Sequence, residues 1–238
     1  MSFTKIQQEQ VEKQLERHKR KDLIAKIPLN NKNNFLEIEI DNGVFGSDIM
    51  SSGIYLAKFL YSNKKLYKNK FCLDMGCGPG TQGLIMSKYG AKQVILTDIS
   101  KKAVINTIKN IKRLNLKNSI SFESDLFNNI PINKFDVIVF NHPFFPGEAS
   151  KHKLNNNDTM LRKSMLGGTK LVKKFFKYSK NYLKNNGIII MPYFHFAGKE
   201  NDPANHVKKF GLRIKKEKRI KSSQGLQLGD FSIYVISK

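Results

Sequence analysis

Residues 140–145, Phe-Asn-His-Pro-Phe-Phe, close an apolar run, FDVIVF, with an amide, an imidazole, a proline and two aromatic rings. Such groups at a strand tip suit the handling of a weak, planar nucleophile. An amide or aromatic amino nitrogen has a delocalised lone pair. Two acceptors that take hydrogen bonds from both of its N–H groups localise that pair and aim it at an electrophile. Asn141 offers one acceptor through its side-chain oxygen, and the carbonyl of His142, next to Pro143, offers the other. Phe144 offers a face on which a planar group can stack. Positioning of this kind contributes up to ~7–11 kcal/mol in the best intramolecular systems. Since no strong general base is required, His142 is read as a spacer acting through its backbone, with its ring as base the lesser alternative.

A second group of residues offers a ligand cradle. In CLDMGCGPGTQG (72–83), Gly76, Gly78 and Gly80 let the backbone turn sharply and approach a ligand closely, and the helix that follows starts with free amides. Taken alone, the glycine pattern also fits a dinucleotide site. Two carboxylates narrow it. Asp98 closes ILTD, where it can accept both ribose hydroxyls, and Asp125 closes SFESD, within reach of an adenine amino group, with Leu126 beside it to pack on the base. Helix capping accounts for any one such acid. Asp74, Asp98 and Asp125 on three successive strand ends, at the edge where open α/β sheets bind ligands, point to a nucleoside.

The elements that position these residues follow from the apolar pattern. KFCLDMG (70–76), QVILTD (93–98), SISFESD (119–125), FDVIVFN (135–141) and GIIIMPY (187–193) read as buried strands, with helical patterns near 80–89, 100–114 and 164–185 between them. That alternation predicts a parallel sheet covered on both faces. LRIKKEKRIK (212–221) and FSIYVIS (231–237) leave no room for a crossover helix, so they predict an antiparallel hairpin. Upstream, residues 4–26 read as one charged helix, Pro28 and NNKNN break it, FLEIEI (35–40) reads as a strand and residues 49–61 as an amphipathic helix. The predicted organisation is a basic helical extension over 1–30 and one domain over 31–238.

The chain is identified as similar to the class I S-adenosylmethionine-dependent methyltransferases. Asp74-x-Gly76-x-Gly78-x-Gly80 matches their first motif, Asp98 their ribose-binding acid and Asp125 their adenine-side acid, over roughly residues 70–238. The resemblance implies a seven-stranded Rossmann-like α/β sheet with a reversed C-terminal hairpin. It also implies S-adenosyl-L-methionine as cofactor, held by Asp74, Gly76, Gly78, Gly80, Asp98, Ile99, Asp125, Leu126 and Asn141. The corner resembles the Asn-Pro-Pro-Tyr/Phe motif of amino-nitrogen methyltransferases, which implies catalytic roles for Asn141, His142, Pro143 and Phe144, with His142 standing where the first proline is expected. LGGTKLVKKFFKYSKNYLKNNGIIIMPY (166–193) resembles the segment after that corner in HemK-like protein-glutamine methylases, whereas GVFGSDIMSSGIYLAKFL (43–60) resembles the lead-in of the small methyltransferase domain of ribosomal-RNA guanine methylases. The implied partner is a release-factor-like protein or an RNA. A small-molecule N-methyltransferase and a non-catalytic cofactor-binding scaffold are the remaining alternatives.

Composition bounds these readings. The 238 residues suffice for one sizeable core, and no run approaches the ~20 apolar residues of a membrane helix. The polar N-terminus has no signal-like apolar core, and Cys72 and Cys77 match neither a zinc pattern nor a disulfide framework, so the cytoplasm is the expected compartment. The net charge of +23, carried by 42 basic residues of which six are Arg, suits a nucleic-acid partner or reflects Lys- and Asn-rich coding. Lys173, Lys177, Lys180 and Lys184 fall on the outer face of an amphipathic helix, residues 146–163 read as a polar segment covering the substrate, and His195 reads as a structural histidine.

Overall fold

The computed structural model describes residues 4–19, 21–48, 51–131, 134–146, 160–161, 163–221 and 230–238. The chain opens with α1 (Lys5–His18), started by a capping box in which the Thr4 hydroxyl accepts from the Gln7 amide and the Gln7 side chain accepts from the Thr4 amide. It ends well before residue 26. LIAKIP forms a strand instead, β1 (Leu23–Pro28), paired antiparallel with β2 (Phe35–Ile40). Alternation explains the difference: Ala25 and Ile27 point inward with Leu36, Ile38 and Ile40, while Ile24 and Lys26 face out. The polar cluster at 30–34 is the hairpin turn, where the Asn30 side chain accepts from the amides of Lys32 and Asn34. The boundary placed at residue 30 thus falls between two hydrogen-bonded strands.

The main sheet has seven strands. β3 (Phe71–Met75), β4 (Gln93–Asp98), β5 (Ser119–Glu123), β6 (Phe135–Phe140) and β7 (Leu183–Phe194) run parallel, and β8 (Arg213–Ile220) and β9 (Phe231–Ser237) close it as an antiparallel hairpin, in the order β5-β4-β3-β6-β7-β9-β8. Side chains alternate across it. Cys72, Val137, Val139 and Ile190 meet α2 (Ser51–Ser62), α3 (Thr81–Lys88) and the β1–β2 hairpin on one face. Leu73, Ile138, Phe140 and Ile189 meet α1 and α5 (Gly168–Tyr182) on the other. α4 (Lys101–Arg113) links β4 to β5.

Within this order the chain enters at β3, moves outward through β4 and β5, and returns to β6 on the opposite side of β3. The carboxyl ends of β3 and β6 therefore lie side by side at the point where direction reverses, the place where such sheets form a ligand crevice. Inside the turn after β3, the buried Asp74 carboxylate accepts a 2.7 Å hydrogen bond from the Gly83 amide. Gly83 has no room for a side chain, since a Cβ there would stand 2.3 Å from a Leu96 methyl. Burial pushes the Asp74 carboxyl up to about 7; the Gly83 N–H opposes that rise and the neighbouring Asp98 adds to it.

α1 is part of the core. Its buried positions, Gln7, Val11, Gln14, Leu15 and His18, form one stripe, but only two of the five are aliphatic, and so an apolar pattern does not reveal it. Gln7 and His18 hydrogen-bond instead to the carbonyls of Phe196 and Gly46. Leu15→Ala is therefore expected to cost about 2–5 kcal/mol of unfolding free energy in urea titration; a loss below ~0.5 kcal/mol would show that α1 is not packed as described. For Asp74, the folded state holds a proton that the unfolded state releases between about pH 4 and pH 7, so this residue's contribution to stability falls as pH rises through that window. Asp74→Asn is expected to flatten the decline, and parallel stability–pH curves for the two proteins would refute it.

Candidate active site

The crevice holds a cavity of about 270 Å³ whose wall includes Gly76, Gly78, Asp98, Ile99, Asp125, Leu126 and the corner Asn141–Phe144. Ten of the twelve residues proposed from sequence thus meet around one space. Asp74 and Gly80 stand behind it. Asp74 lies under the loop, while Gly80, at φ +95°, turns the chain into α3, where a Cβ would stand 3.0 Å from Leu84 Cδ1 and 3.2 Å from Thr107 Cγ2.

On the β3–β5 side, backbone and carboxylates form the cradle. Gly76 and Gly78 both have positive φ, and a Cβ on Gly78 would stand 3.3 Å from the Phe45 carbonyl, across the narrow part of the cavity wall. Asp98 is anchored from below: its Oδ2 accepts from the Gly78 amide at 2.9 Å and its Oδ1 from the Ser100 amide at 2.9 Å. Each oxygen keeps a further lone pair for a ligand hydroxyl. Burial raises the Asp98 carboxyl, and the amides of Ser100, Gly78 and Ile99 pull it back. Asp125, half-exposed, forms a 2.8 Å ion pair with Lys174 of α5. Leu126 adopts φ +51°, unusual for a branched side chain, and is buried at the wall. The Ser124 hydroxyl, donating to the Leu126 carbonyl at 2.8 Å, holds that turn.

On the β6 side, Asn141 faces the cavity, and its side chain makes no hydrogen bond among the described residues. The His142 ring is buried, with Phe140 at 5.7 Å, Phe144 edge-on at 5.1 Å and Tyr193 parallel at 6.1 Å. Neither ring nitrogen finds a hydrogen-bond partner among the described residues. Burial pushes its pKa down to about 3, a fall that the nearby Phe140 carbonyl only partly opposes, so the ring is neutral and shielded from solvent at neutral pH. That arrangement suits a packing role, leaving the residue's backbone to the chemistry. The next segment grips the corner: the Phe145 amide donates to the Met165 carbonyl at 2.9 Å, and the Gly167 amide to the Phe145 carbonyl at 3.1 Å. A Cβ on Gly167 would approach Pro143 Cβ to 3.4 Å.

Part of the wall escapes sequence reasoning. Val44, Phe45 and Ser47, between β2 and α2, and Ser52, in the first turn of α2, line it, although they lie far from any chemical motif. They are tied in by the 3.0 Å hydrogen bond between the Thr81 and Ser47 hydroxyls and by His18, which stacks on Phe45 at 4.2 Å. The glycine- and serine-rich stretch GVFGSD was the available signal, since only a loop of that kind can pass so close to Gly78. Lys163 and Met165 also reach the cavity; the expected covering segment falls mostly on residues 147–159, outside those described. His195 is structural, its Nε2 2.7 Å from the Ser232 hydroxyl and its Nδ1 3.5 Å from Asp202.

Residues 36–166, over half of the chain, match the methyltransferase small domain family. A Methanocaldococcus jannaschii protein provisionally named a protein N5-glutamine methyltransferase is 33% identical over 154 residues, 65% of this chain and 76% of its own length. A release factor glutamine methyltransferase of Borreliella burgdorferi is 36% identical over 129 residues, 51% of this chain but 44% of its own length. In fold, the chain superposes on a T. thermophilus 16S rRNA N2 G1207 methyltransferase in complex with AdoMet and guanosine, with a TM-score of 0.64 at 15% identity over 92% of this chain and 51% of that one. No helix among the described residues is long and apolar enough to cross a membrane. The chain belongs to the small-domain methyltransferases and uses S-adenosyl-L-methionine as its cofactor.

Proposed function

We propose that this enzyme methylates a planar amide nitrogen, the side chain of a glutamine in a protein of the translation machinery. The observation that carries the reading is the Asn141 side chain, without a hydrogen-bond partner among the described residues, on the same cavity wall as the Gly76–Gly78 turn and Asp98. The residues present fit the cofactor: Gly78, at positive φ and with the Phe45 carbonyl 3.3 Å from where a Cβ would stand, brings bare backbone to the wall, Asp98 keeps lone pairs for hydroxyls, and Ile99 and Leu126 offer apolar surface beside Asp125. When bound, S-adenosylmethionine supplies an electrophilic methyl on a sulfonium. Asn141 Oδ1 accepts one N–H of the acceptor, the His142 carbonyl accepts the other, and Phe144, held edge-on by His142 and Tyr193, supports its plane. The held nitrogen has its lone pair turned toward the cradle, and its surplus proton leaves to water after transfer. The choice of a protein amide rests on the two glutamine-methylating relatives.

Asp98→Ala is expected to weaken S-adenosylmethionine binding about 10–100-fold by calorimetry, as the loss of one charge-assisted hydrogen bond or more would do. Asp98→Asn, which keeps one acceptor oxygen, should lose less; unaltered affinity in Asp98→Ala would remove that residue from the cofactor site. Asn141→Ala is expected to bind the cofactor normally and to lose roughly 10²–10³-fold in kcat, the scale seen when one preorganised hydrogen bond is deleted. Full turnover in this variant would refute the clamp. To identify the acceptor, methyl-labelled cofactor would be incubated with a release factor and with ribosomal RNA. Label on a glutamine side chain supports the reading, and label on a purine amino group overturns it in favour of an RNA base.

A further inference from the structure

The positive charge is not spread evenly. Residues 168–221 contain 15 Lys and Arg against three acids, a balance of +12, whereas the remaining 184 residues contain 27 against 16, a balance of +11. Coding bias acts on the whole chain, so it does not explain why under a quarter of the residues carries over half of the net charge. Among the described residues Lys174, Lys184 and Arg219 of this segment pair with Asp125, Asp136 and Asp230 outside it, which leaves most of its excess charge in place. Of its acids, Asp202 is buried and accepts from Tyr234, Glu217 accepts from Ser232, and Glu200 is exposed.

The folded segment gathers the lysines. On α5, Lys173, Lys177 and Lys180 sit at intervals of four and three, hence on one face. All three are exposed and make no ion pair among the described residues, while α5 itself contains no acid. Phe176 packs at a tilt against Phe210 at 6.0 Å and seats the turn 207–210, with its exposed Lys208 and Lys209, on the helix, where Lys180 Nζ reaches Gly211 at the end of that turn. Tyr178, 40% exposed, borders the stripe, with Lys177 Nζ 5.4 Å from its ring centroid. The helix begins at the active site, where Gly167 and Leu171 line the cavity, so the stripe leads away from the cavity mouth.

We propose that this α5 face binds RNA, and that it anchors the substrate particle beside the methylated nitrogen. Lys is depleted from protein–protein interfaces, so a lysine stripe without interleaved acids fits a protein partner poorly. A membrane-surface helix would present large apolar side chains, and here the outward face shows one tyrosine among lysines. Phosphates match the lysines, and an exposed aromatic ring within a basic track suits the stacking of an unpaired base, which RNA loops provide. This inference stands apart from the proposed acceptor, because a protein amide carried on an RNA-containing particle and an RNA base would both be reached along such a track.

The test is fluorescence anisotropy of the full chain with a labelled 20-nucleotide unstructured RNA, without cofactor, from 50 to 200 mM KCl. The triple variant Lys173→Glu, Lys177→Glu, Lys180→Glu is expected to lose tenfold or more in affinity, and its salt slope should fall by about 2, for ~0.7 per phosphate contact on a single strand. Calorimetric S-adenosylmethionine affinity should be unchanged, which keeps this result separate from the fate of the catalytic reading. A second variant, Lys88→Glu, Lys112→Glu, Lys117→Glu, makes the same charge change at the opposite edge of the sheet and should keep most of the binding. Equal losses in both variants, undiminished binding in the first, equally tight binding of duplex DNA, or equally tight binding of a polyglutamate peptide would each overturn the proposal.

Discussion

Between the last residue of β3 and the first turn of α3 the chain has to reverse while keeping its amides at the surface of a crevice. The Asp74 carboxylate, bonded to the Gly83 amide, is what fixes that reversal. It ties the strand to the helix from beneath, and the missing side chain at Gly83 allows α3 to sit directly on Leu96. With helix and strand joined this closely, the residues between them have no slack, and Gly76 and Gly78 are driven to positive φ at the cavity wall. Asp98 repeats the device one strand over by bonding the Gly78 amide. Two carboxylates thus hold one loop, the first wholly structural and the second with lone pairs to spare. The cost is electrostatic: burial raises the pKa of both acids, and for Asp74 the neighbouring Asp98 adds to the rise.

The second half of the site meets the same need for rigidity by other means. Two consecutive prolines would stiffen the corner through fixed φ angles. Here the first of those positions is His142, and stiffness comes from packing: its ring is enclosed by Phe140, Phe144 and Tyr193. Two ring nitrogens without a hydrogen-bond partner among the described residues are a poor use of a buried polar side chain on grounds of stability alone. The neutral imidazole nevertheless fills a flat slot parallel to Tyr193, which holds Phe144 edge-on as the third member of the stack. The strap at 165–167 then fixes the corner from the outer side.

These differences in construction set what could be read from the sequence. The seven strands were legible, because a buried strand of such a sheet is a short run of apolar residues, and the acids that close two of those runs, Asp98 and Asp125, stand at the cavity wall. The helix over 4–26 was misread, since the charged residues of 4–22 flow into LIAKIP without a glycine or proline before Pro28. Only pairing with β2 makes that stretch a strand. Similarly, β7 begins at Leu183 rather than Gly187 because Leu183 pairs with Phe135 across a register irregularity, a tertiary fact with no local signature. α1 is buried through Gln7 and His18, whose hydrogen bonds reach carbonyls 28 and 189 residues distant. Residues of that kind look like surface until the partner carbonyl is in place.

The same contrast separates cofactor from acceptor. The cradle side of the wall is made of backbone and of carboxylates at strand ends, a pattern that does not depend on the acceptor. Beyond Asn141 and Phe144 the wall is made from separate segments: Phe45 and Ser47 before α2, Met165 on the strap, and Leu171 on α5. α1 governs one of these indirectly, through His18 stacked on Phe45. None of these positions is required by the chemistry of methyl transfer, and each can change without loosening the Asp74 and Asp98 anchors. A domain built this way can exchange a protein amide for a nucleic-acid amine by altering loops alone. Such freedom is a physical reason why one chain can resemble both a release factor glutamine methyltransferase and a ribosomal RNA methyltransferase.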